Sequence, residues 1–266
     1  MKFYLLNVFT KNNFAGNQLA AVFPDSFPDP ERMQAIAREF NFSETIFVCD
    51  PRGTPSVRIF TPKTELPFAG HPTVGAAFIL SHLKYKKVAF ELQVPLGRTS
   101  VVADASGALV TFPGEVSLGE INESLPIYLQ GCGVSLDDVY LDDVRMATAG
   151  PEFMIIPVRS REVLAGAKSP LSSGTKVRGY FIFRESSQKY HVRMFSPSLG
   201  IGEDAATGSA ACALAGYLSQ HKKELSGEVT ISQGKEMSRE CEIKLKWGET
   251  IQVGGMVHLW GEGDLL

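Results

Sequence analysis

Val57-Arg58-Ile59-Phe60-Thr61-Pro62 and Val192-Arg193-Met194-Phe195-Ser196-Pro197 are one phrase written twice, 135 residues apart, with four of six positions identical. Twelve residues upstream of each, Thr45-Ile46-Phe47-Val48 meets Tyr180-Phe181-Ile182-Phe183 at the same offset, and both runs have strand composition. Downstream, Thr73-Val74-Gly75-Ala76-Ala77 meets Thr207-Gly208-Ser209-Ala210-Ala211 at an offset of 134. The shared order is strand, turn, strand, loop and Ala-rich helix. Two common hairpin–helix patterns can look alike by chance, but a register held over more than 30 residues points to internal duplication.

Duplication sets the organisation. A first half over residues 1–115 and a second over 116–266 are expected, with the boundary inside the Gly- and Pro-containing stretch Gly114 to Gly133. The last residues are candidates to pack back on the first half. Asp29-Pro30 reads as an N-cap followed by proline at the first helical position. Met33, Ile36, Ala37 and Phe40 follow at helical spacing, and Asn41 can close that helix in the left-handed conformation. Ser43 and Glu44 then fall at a helix–strand junction. Four strands are expected at the end of the chain: Glu228 to Ser232, Cys241 to Lys246, Thr250 to Val253 and Met256 to Trp260. Gly254-Gly255 reads as the hairpin turn between the last two. Many antiparallel strands with few helices, and no evident β-α-β units, make the fold class α+β.

Composition excludes several functions. The chain is 44% hydrophobic and 10% aromatic, with a net charge of −3 and no block of like charges. That balance favours a soluble globular protein and gives no electrostatic case for nucleic acid or an anionic membrane. Met1 to Phe9 reads as a first strand rather than a signal peptide, and no apolar run approaches the ~20 residues that span a bilayer. Cys49, Cys132, Cys212 and Cys241 are scattered without a C-x-x-C pair, so a reducing cytosol is the expected compartment.

The segment richest in chemistry is Gly200-Ile201-Gly202-Glu203-Asp204-Ala205-Ala206-Thr207-Gly208-Ser209. An acid there precedes a run of small residues opening a helix. Exposed N–H groups at such a start make an anion site that a substrate can approach closely. The first half has its counterpart in Phe68-Ala69-Gly70-His71-Pro72-Thr73. Two facing helix starts could hold a carboxylate and stabilise a developing enolate. The plainer readings are a helix N-cap for Asp204, a satisfied buried histidine for His71 and a surface acid for Glu44. What favours chemistry is that duplication would bring these loop–helix joints together. The pattern G-x-G-x-x-[G/A] at Gly200–Ala205 is a weak dinucleotide signal, and it puts an acid where a phosphate would arrive. The sequence has no Walker motif or G-x-S-x-G elbow, and its five histidines lack metal-ligand spacing.

Asn13-Phe14-Ala15-Gly16-Asn17, Ser43-Glu44-Thr45, Arg58 to Pro62, Phe68 to Thr73, Gly202 to Ser209, Gln233-Gly234 and Val253-Gly254-Gly255 together resemble the phenazine-biosynthesis isomerase (PhzF-like) family across nearly the whole chain. The resemblance implies a diaminopimelate-epimerase-like fold: two pseudo-twofold-related halves, each a curled, mostly antiparallel sheet around a central helix, with the site between them. Those helices would begin near Thr73 and Thr207. It implies a cofactor-independent isomerase in which Glu44 shuttles a proton between two carbons, while His71 and Asp204 hold and polarise a small carboxylate substrate. Ser43, Gly70, Thr73, Gly208 and Ser209 are the implied substrate-binding residues, no metal or cofactor is implied, and the expected assembly is a homodimer. Epimerases and proline racemases of that fold carry a cysteine at each helix start, where this chain has Gly70 and Asp204. Where the family commonly continues Met-Gly-Arg-Pro-Ser, this chain reads Met237-Ser238-Arg239-Glu240-Cys241, a departure that bears on the substrate. The competing functions are an epimerase or racemase on the same fold, and a non-catalytic module binding a small molecule or a protein.

Overall fold

The computed structural model describes residues 1–49, 53–85, 88–121, 125–170, 177–197 and 201–266. Up to the middle of the chain the elements are β1 (Lys2–Val8), β2 (Asn17–Phe23), α1 (Pro30–Phe40), β3 (Glu44–Cys49), β4 (Ser56–Phe60), β5 (Glu65–Leu66), α2 (Gly70–Ile79), β6 (Ala89–Val94), β7 (Gly97–Ala103), β8 (Gly107–Thr111) and β9 (Ser117–Gly119). There follow α3 (Leu125–Gly131), β10 (Arg145–Thr148), β11 (Glu152–Pro157), α4 (Arg161–Gly166), β12 (Gly179–Ser186), β13 (Lys189–Ser196), β14 (Ile201–Asp204), α5 (Gly208–Gly216), β15 (Gly227–Gln233), β16 (Cys241–Trp247) and β17 (Gln252–Asp264). The stretch expected to hold a boundary therefore carries β9 and α3, with residues 122–124 outside the described set.

The two Arg-x-Phe phrases are built alike. In β4 and β5, Phe60 pairs with Glu65, and Arg58 grips that glutamate with two parallel bonds of 2.7 and 2.6 Å. In β13 and β14, Phe195 pairs with Glu203, and Arg193 grips it at 2.8 and 2.7 Å. Each guanidinium lies over the phenylalanine two residues on, at 5.4 and 4.9 Å from the ring centre. The motif thus encodes a forked ion pair across a short strand turn, backed by a cation–π contact.

Hydrogen bonding runs from β17 through β1, β2, β3, β4, β6, β7 and β8 and back to β17, closing a barrel-like sheet. A second run joins β9, β10, β11, β12, β13, β15, β16 and β17. Every residue of α2 is buried, against β1, β2, β3, β7, β8 and β17; every residue of α5 is buried too, against β10, β11, β16 and β17. A helix apolar all round, as both are, needs cover on every side. Both helices continue into a wider π-helical turn, Leu80–Tyr85 and Tyr217–His221. On the outer face, α1 begins after Asp29 with Pro30 at its first turn, ends at Asn41 with φ 53°, and buries Met33 and Ala37.

Three expectations need correction. Gly254-Gly255 is not a hairpin turn but lies within the single long strand β17. A Cβ on Gly254 would stand 2.1 Å from the Ala108 carbonyl oxygen, so the glycine is there for close backbone approach to β8. The first buried helix starts at Gly70 rather than near Thr73, whereas the second starts at Gly208, directly after Thr207 as expected. Parallel crossovers through helices also exist: β2 to β3 over α1, β4 to β6 over α2, β11 to β12 over α4 and β13 to β15 over α5. The remaining pairings are antiparallel, so the sheet is mixed.

Candidate active site

Glu44 is the first residue of β3, delivered there by the left-handed turn at Asn41. His71 is the second residue of α2, and Asp204 is the last of β14. The structure brings the three together from positions far apart in the chain. His71 Nδ1 lies 3.5 Å from Glu44 Oε2, and the two side chains are 3% and 12% exposed. Asn17, the first residue of β2, ties them to Asp204. Its amide nitrogen donates to Asp204 Oδ1 at 2.8 Å and to the Ala206 carbonyl at 2.9 Å, and lies 3.4 Å from His71 Nδ1. Two amide hydrogens serve the two oxygens, so the Asn17 amide has none left for the His71 nitrogen. Ser43 Oγ donates to Asn17 Oδ1 at 3.3 Å.

Asp204 differs from its expected setting. It does not cap a helix: Thr207 is the N-cap of α5, and its hydroxyl donates to Asp204 Oδ2 at 2.7 Å. Gln233, at the end of β15, donates to the Asp204 carbonyl at 2.9 Å and accepts from the Thr207 N–H at 3.1 Å. Burial raises Asp204 to about 6, against the pull of the Thr207 and Asn17 hydrogen bonds. Burial, with the charge of Asp204 adding, raises Glu44 to about 8. Burial lowers His71 to about 3, so its ring is neutral at physiological pH. Glu44 Oε2 and His71 Nε2 are both buried without a hydrogen-bond partner. Buried polar atoms are seldom left so, and here both orphans belong to neighbouring residues of one cluster.

The starts of α2 and α5 meet nose to nose. A Cβ on Gly70 would lie 2.6 Å from Gly208 Cα, and one on Gly208 would lie 2.8 Å from Gly70 Cα. Ser209 is buried at this junction. Thr73 lies apart, since it is fully buried in α2 and its hydroxyl donates back to the Ala69 carbonyl at 2.8 Å. Cys212 is fully buried within α5, and its burial raises the thiol pKa.

A pocket of about 400 Å³ opens onto this cluster. Asn17, Ser43 and Asp204 are in its wall; Glu44 and His71 lie one layer behind, in contact with Asn17 and Ser43. Lys63 and Arg239 also line it, as does Met237, so the segment that departs from the family pattern does face the pocket. Ser238 there has φ 55°, a left-handed conformation that glycine adopts more readily. Gly200 lies outside the described residues. Asn17 and Gln233 both stand in quoted motifs, yet neither was assigned a role, because their roles come from contacts that no local pattern reports.

A model of the family described as phenazine biosynthesis-like protein matches residues 6–263. An uncharacterized isomerase of Pasteurella multocida is 34% identical, covering 99% of this chain and 93% of its own. A trans-2,3-dihydro-3-hydroxyanthranilate isomerase of Pseudomonas fluorescens is 34% identical, covering 99% of both chains. Among solved structures, a predicted epimerase from Pseudomonas aeruginosa matches with a TM-score of 0.82 at 26% identity, over 100% of this chain and 99% of that one.

Proposed function

This chain belongs to the phenazine biosynthesis-like protein family and is an isomerase; from that premise we propose that it moves a proton between two carbons of a small carboxylate substrate, without a cofactor, using Glu44. The carrying observation is the Glu44 carboxyl: buried, raised toward neutrality, 3.5 Å from a neutral histidine, with Oε2 unpartnered. Such a group can take a proton at a pH where it can also return one.

In this reading the substrate carboxylate lies against the N–H groups at the starts of α2 and α5, near Gly70, Gly208 and Ser209. Ionised Glu44 removes a proton from the activated carbon, becomes neutral, and returns the proton to a second carbon on the same face. Asp204, fixed by Asn17 and Thr207, accepts a hydrogen bond from the substrate, and the unpartnered Nε2 of the neutral His71 ring is left to hydrogen-bond with it. A positioned acid–base group contributes ~10²–10⁴-fold, and the preorganised donors supply much of the rest.

The finer architecture belongs to the same proposal. Residues 1–115 and 116–266 are duplicated halves related by a pseudo-twofold axis, each curled around its buried helix, α2 or α5. The twin Arg–Phe–Glu hairpins, the matched crossovers and the abutting glycines support it. A cytosolic homodimer without nucleic-acid or membrane partners completes the reading. The net charge of −3 supports it, and among the described residues no helix is long and apolar enough to cross a membrane. Two-thiol racemisation is disfavoured, because glycines meet at the helix starts and Cys212 is sealed in the core.

The test is hydrogen exchange in heavy water. Cyclic and acyclic hydroxy- and amino-acids, with trans-2,3-dihydro-3-hydroxyanthranilate among them, are incubated with the protein. At least one should take up deuterium at carbon with wild type and not with Glu44→Gln. Uptake that is equal in both proteins would remove Glu44 from the reaction.

A further inference from the structure

The pocket wall carries four charged side chains whose accounts do not balance. Glu203 is already held in the fork of Arg193. The Asp204 oxygens take bonds from Asn17 and Thr207, and burial biases that carboxyl toward its neutral form. The two cations have no such partners. Arg239 is half-buried, and its guanidinium donates to neutral oxygens: the Gly16 carbonyl at 2.8 Å, Asn7 Oδ1 at 3.0 Å and the Ala15 carbonyl at 3.3 Å. These bonds use Nε and Nη2 and leave Nη1 out. Lys63 stands on the loop after β4 and lines the same pocket. That loop is pinned, because Thr61 Oγ1 accepts from the Lys63 N–H at 3.1 Å and the Thr64 N–H at 2.9 Å, while Gln34 donates to the Thr61 carbonyl at 2.7 Å. Among the described residues, no carboxylate lies within ion-pair distance of Lys63 or Arg239; nearby Glu240 pairs with Lys11. A half-buried guanidinium without a counterion is costly unless a ligand supplies one.

We propose that Lys63 and Arg239 form a second anion subsite, so that the substrate is a small dicarboxylate with one carboxylate at the helix starts and the other at this rim. The inference rests on the proposed function, with this pocket as the substrate's approach to the Glu44 cluster. One cation comes from each half of the chain, so the second carboxylate would be held only by a ligand that bridges the cleft. Arg239 offers a planar fork suited to carboxylate, and Lys63 a mobile point charge. Arg239 also holds the carbonyls that precede Asn17, so the same side chain positions the loop leading to the catalytic cluster.

Benzoate and isophthalate, which differ by one carboxylate, are suitable probes, titrated calorimetrically into the intact protein at low and at physiological salt. Isophthalate should bind about tenfold more tightly than benzoate, as one charge-assisted contact allows. That gain should shrink with salt. Lys63→Ala, at an exposed position, should remove most of the gain and leave benzoate affinity near wild type; Arg239→Lys should restore more of it than Arg239→Gln. Equal affinities for the two probes, or a gain that survives Lys63→Ala, would overturn the subsite while leaving the Glu44 chemistry standing. If neither probe binds, the pocket is not the substrate site and the subsite falls with it.

Discussion

A Cβ added at Gly70 would stand 2.6 Å from Gly208 Cα, 2.8 Å from its carbonyl carbon and 3.1 Å from the Ser209 nitrogen. Ordinary contact begins near 3.4 Å, so Gly70→Ala obliges the starts of α2 and α5 to part by about 0.8 Å. The obstacle is backbone on both sides, with no flexible side chain to yield. Overpacking of this kind costs ~1–3 kcal/mol, while alanine's better helix propensity returns up to ~1 kcal/mol. The contact wins, leaving a net loss of about 1–2 kcal/mol. At ~2–4 °C per kcal/mol for a chain of this size, the midpoint should fall by roughly 2–8 °C. The control is Gly166→Ala at the end of α4, where an added Cβ meets nothing within 4 Å. It should be neutral or slightly stabilising. Thermal melts followed by circular dichroism compare the two. A Gly70→Ala midpoint at or above that of Gly166→Ala would refute the reasoning about the helix junction.

Stability should depend on pH through Glu44. Its folded pKa, about 8, lies above the ordinary glutamate value of 4.5, so the fold favours the protonated carboxyl and loses stability as pH climbs between those values. Urea denaturation from pH 5 to 8 should show a decline of up to ~1.4 kcal/mol per pH unit from this group. Glu44→Gln, which mimics the protonated form, should flatten it; an unchanged slope would contradict the burial assigned to Glu44. Because Glu44 must ionise to act as a base, turnover should climb as pH approaches 8. The twin ion pairs should part company on mutation. Glu203→Gln strands Arg193, only 7% exposed, and should cost ~3–5 kcal/mol, whereas Glu65→Gln beside the 27% exposed Arg58 should cost under ~1 kcal/mol. Matching losses in a chemical denaturation series would show that burial does not set the difference.

Much of the architecture was legible because local chemistry and fold agree. The Arg-x-Phe phrase announced its hairpin twice, and Asp29-Pro30 with Asn41 bracketed α1 within a residue. Gly254-Gly255 misled because a glycine pair signals a turn and a backbone crossing equally well; only the neighbour, β8, distinguishes them. The helix crossovers went unread because periodicity identifies an element but not the strand beside which it returns the chain. Glu44, His71 and Asp204 could be named from sequence since each lies at or beside an element's end, in a motif that resembles the family's. The setting of Asp204 could not, because its small-residue neighbours run past the strand end before α5 begins at Gly208. Asn17 reaches Asp204 across 187 residues, a contact no motif spacing encodes.

The central claim is that a single buried carboxyl, Glu44, carries the proton. Once the heavy-water screen has supplied a substrate, the decisive measurement is its turnover and its dissociation constant with wild type and Glu44→Gln side by side. Glutamine keeps the shape and the contact with His71 but cannot accept a proton. Turnover should fall by ~10²–10⁴-fold while the dissociation constant stays within a few-fold of wild type. Near-normal turnover in Glu44→Gln would contradict the account, and His71 would become the group to test next.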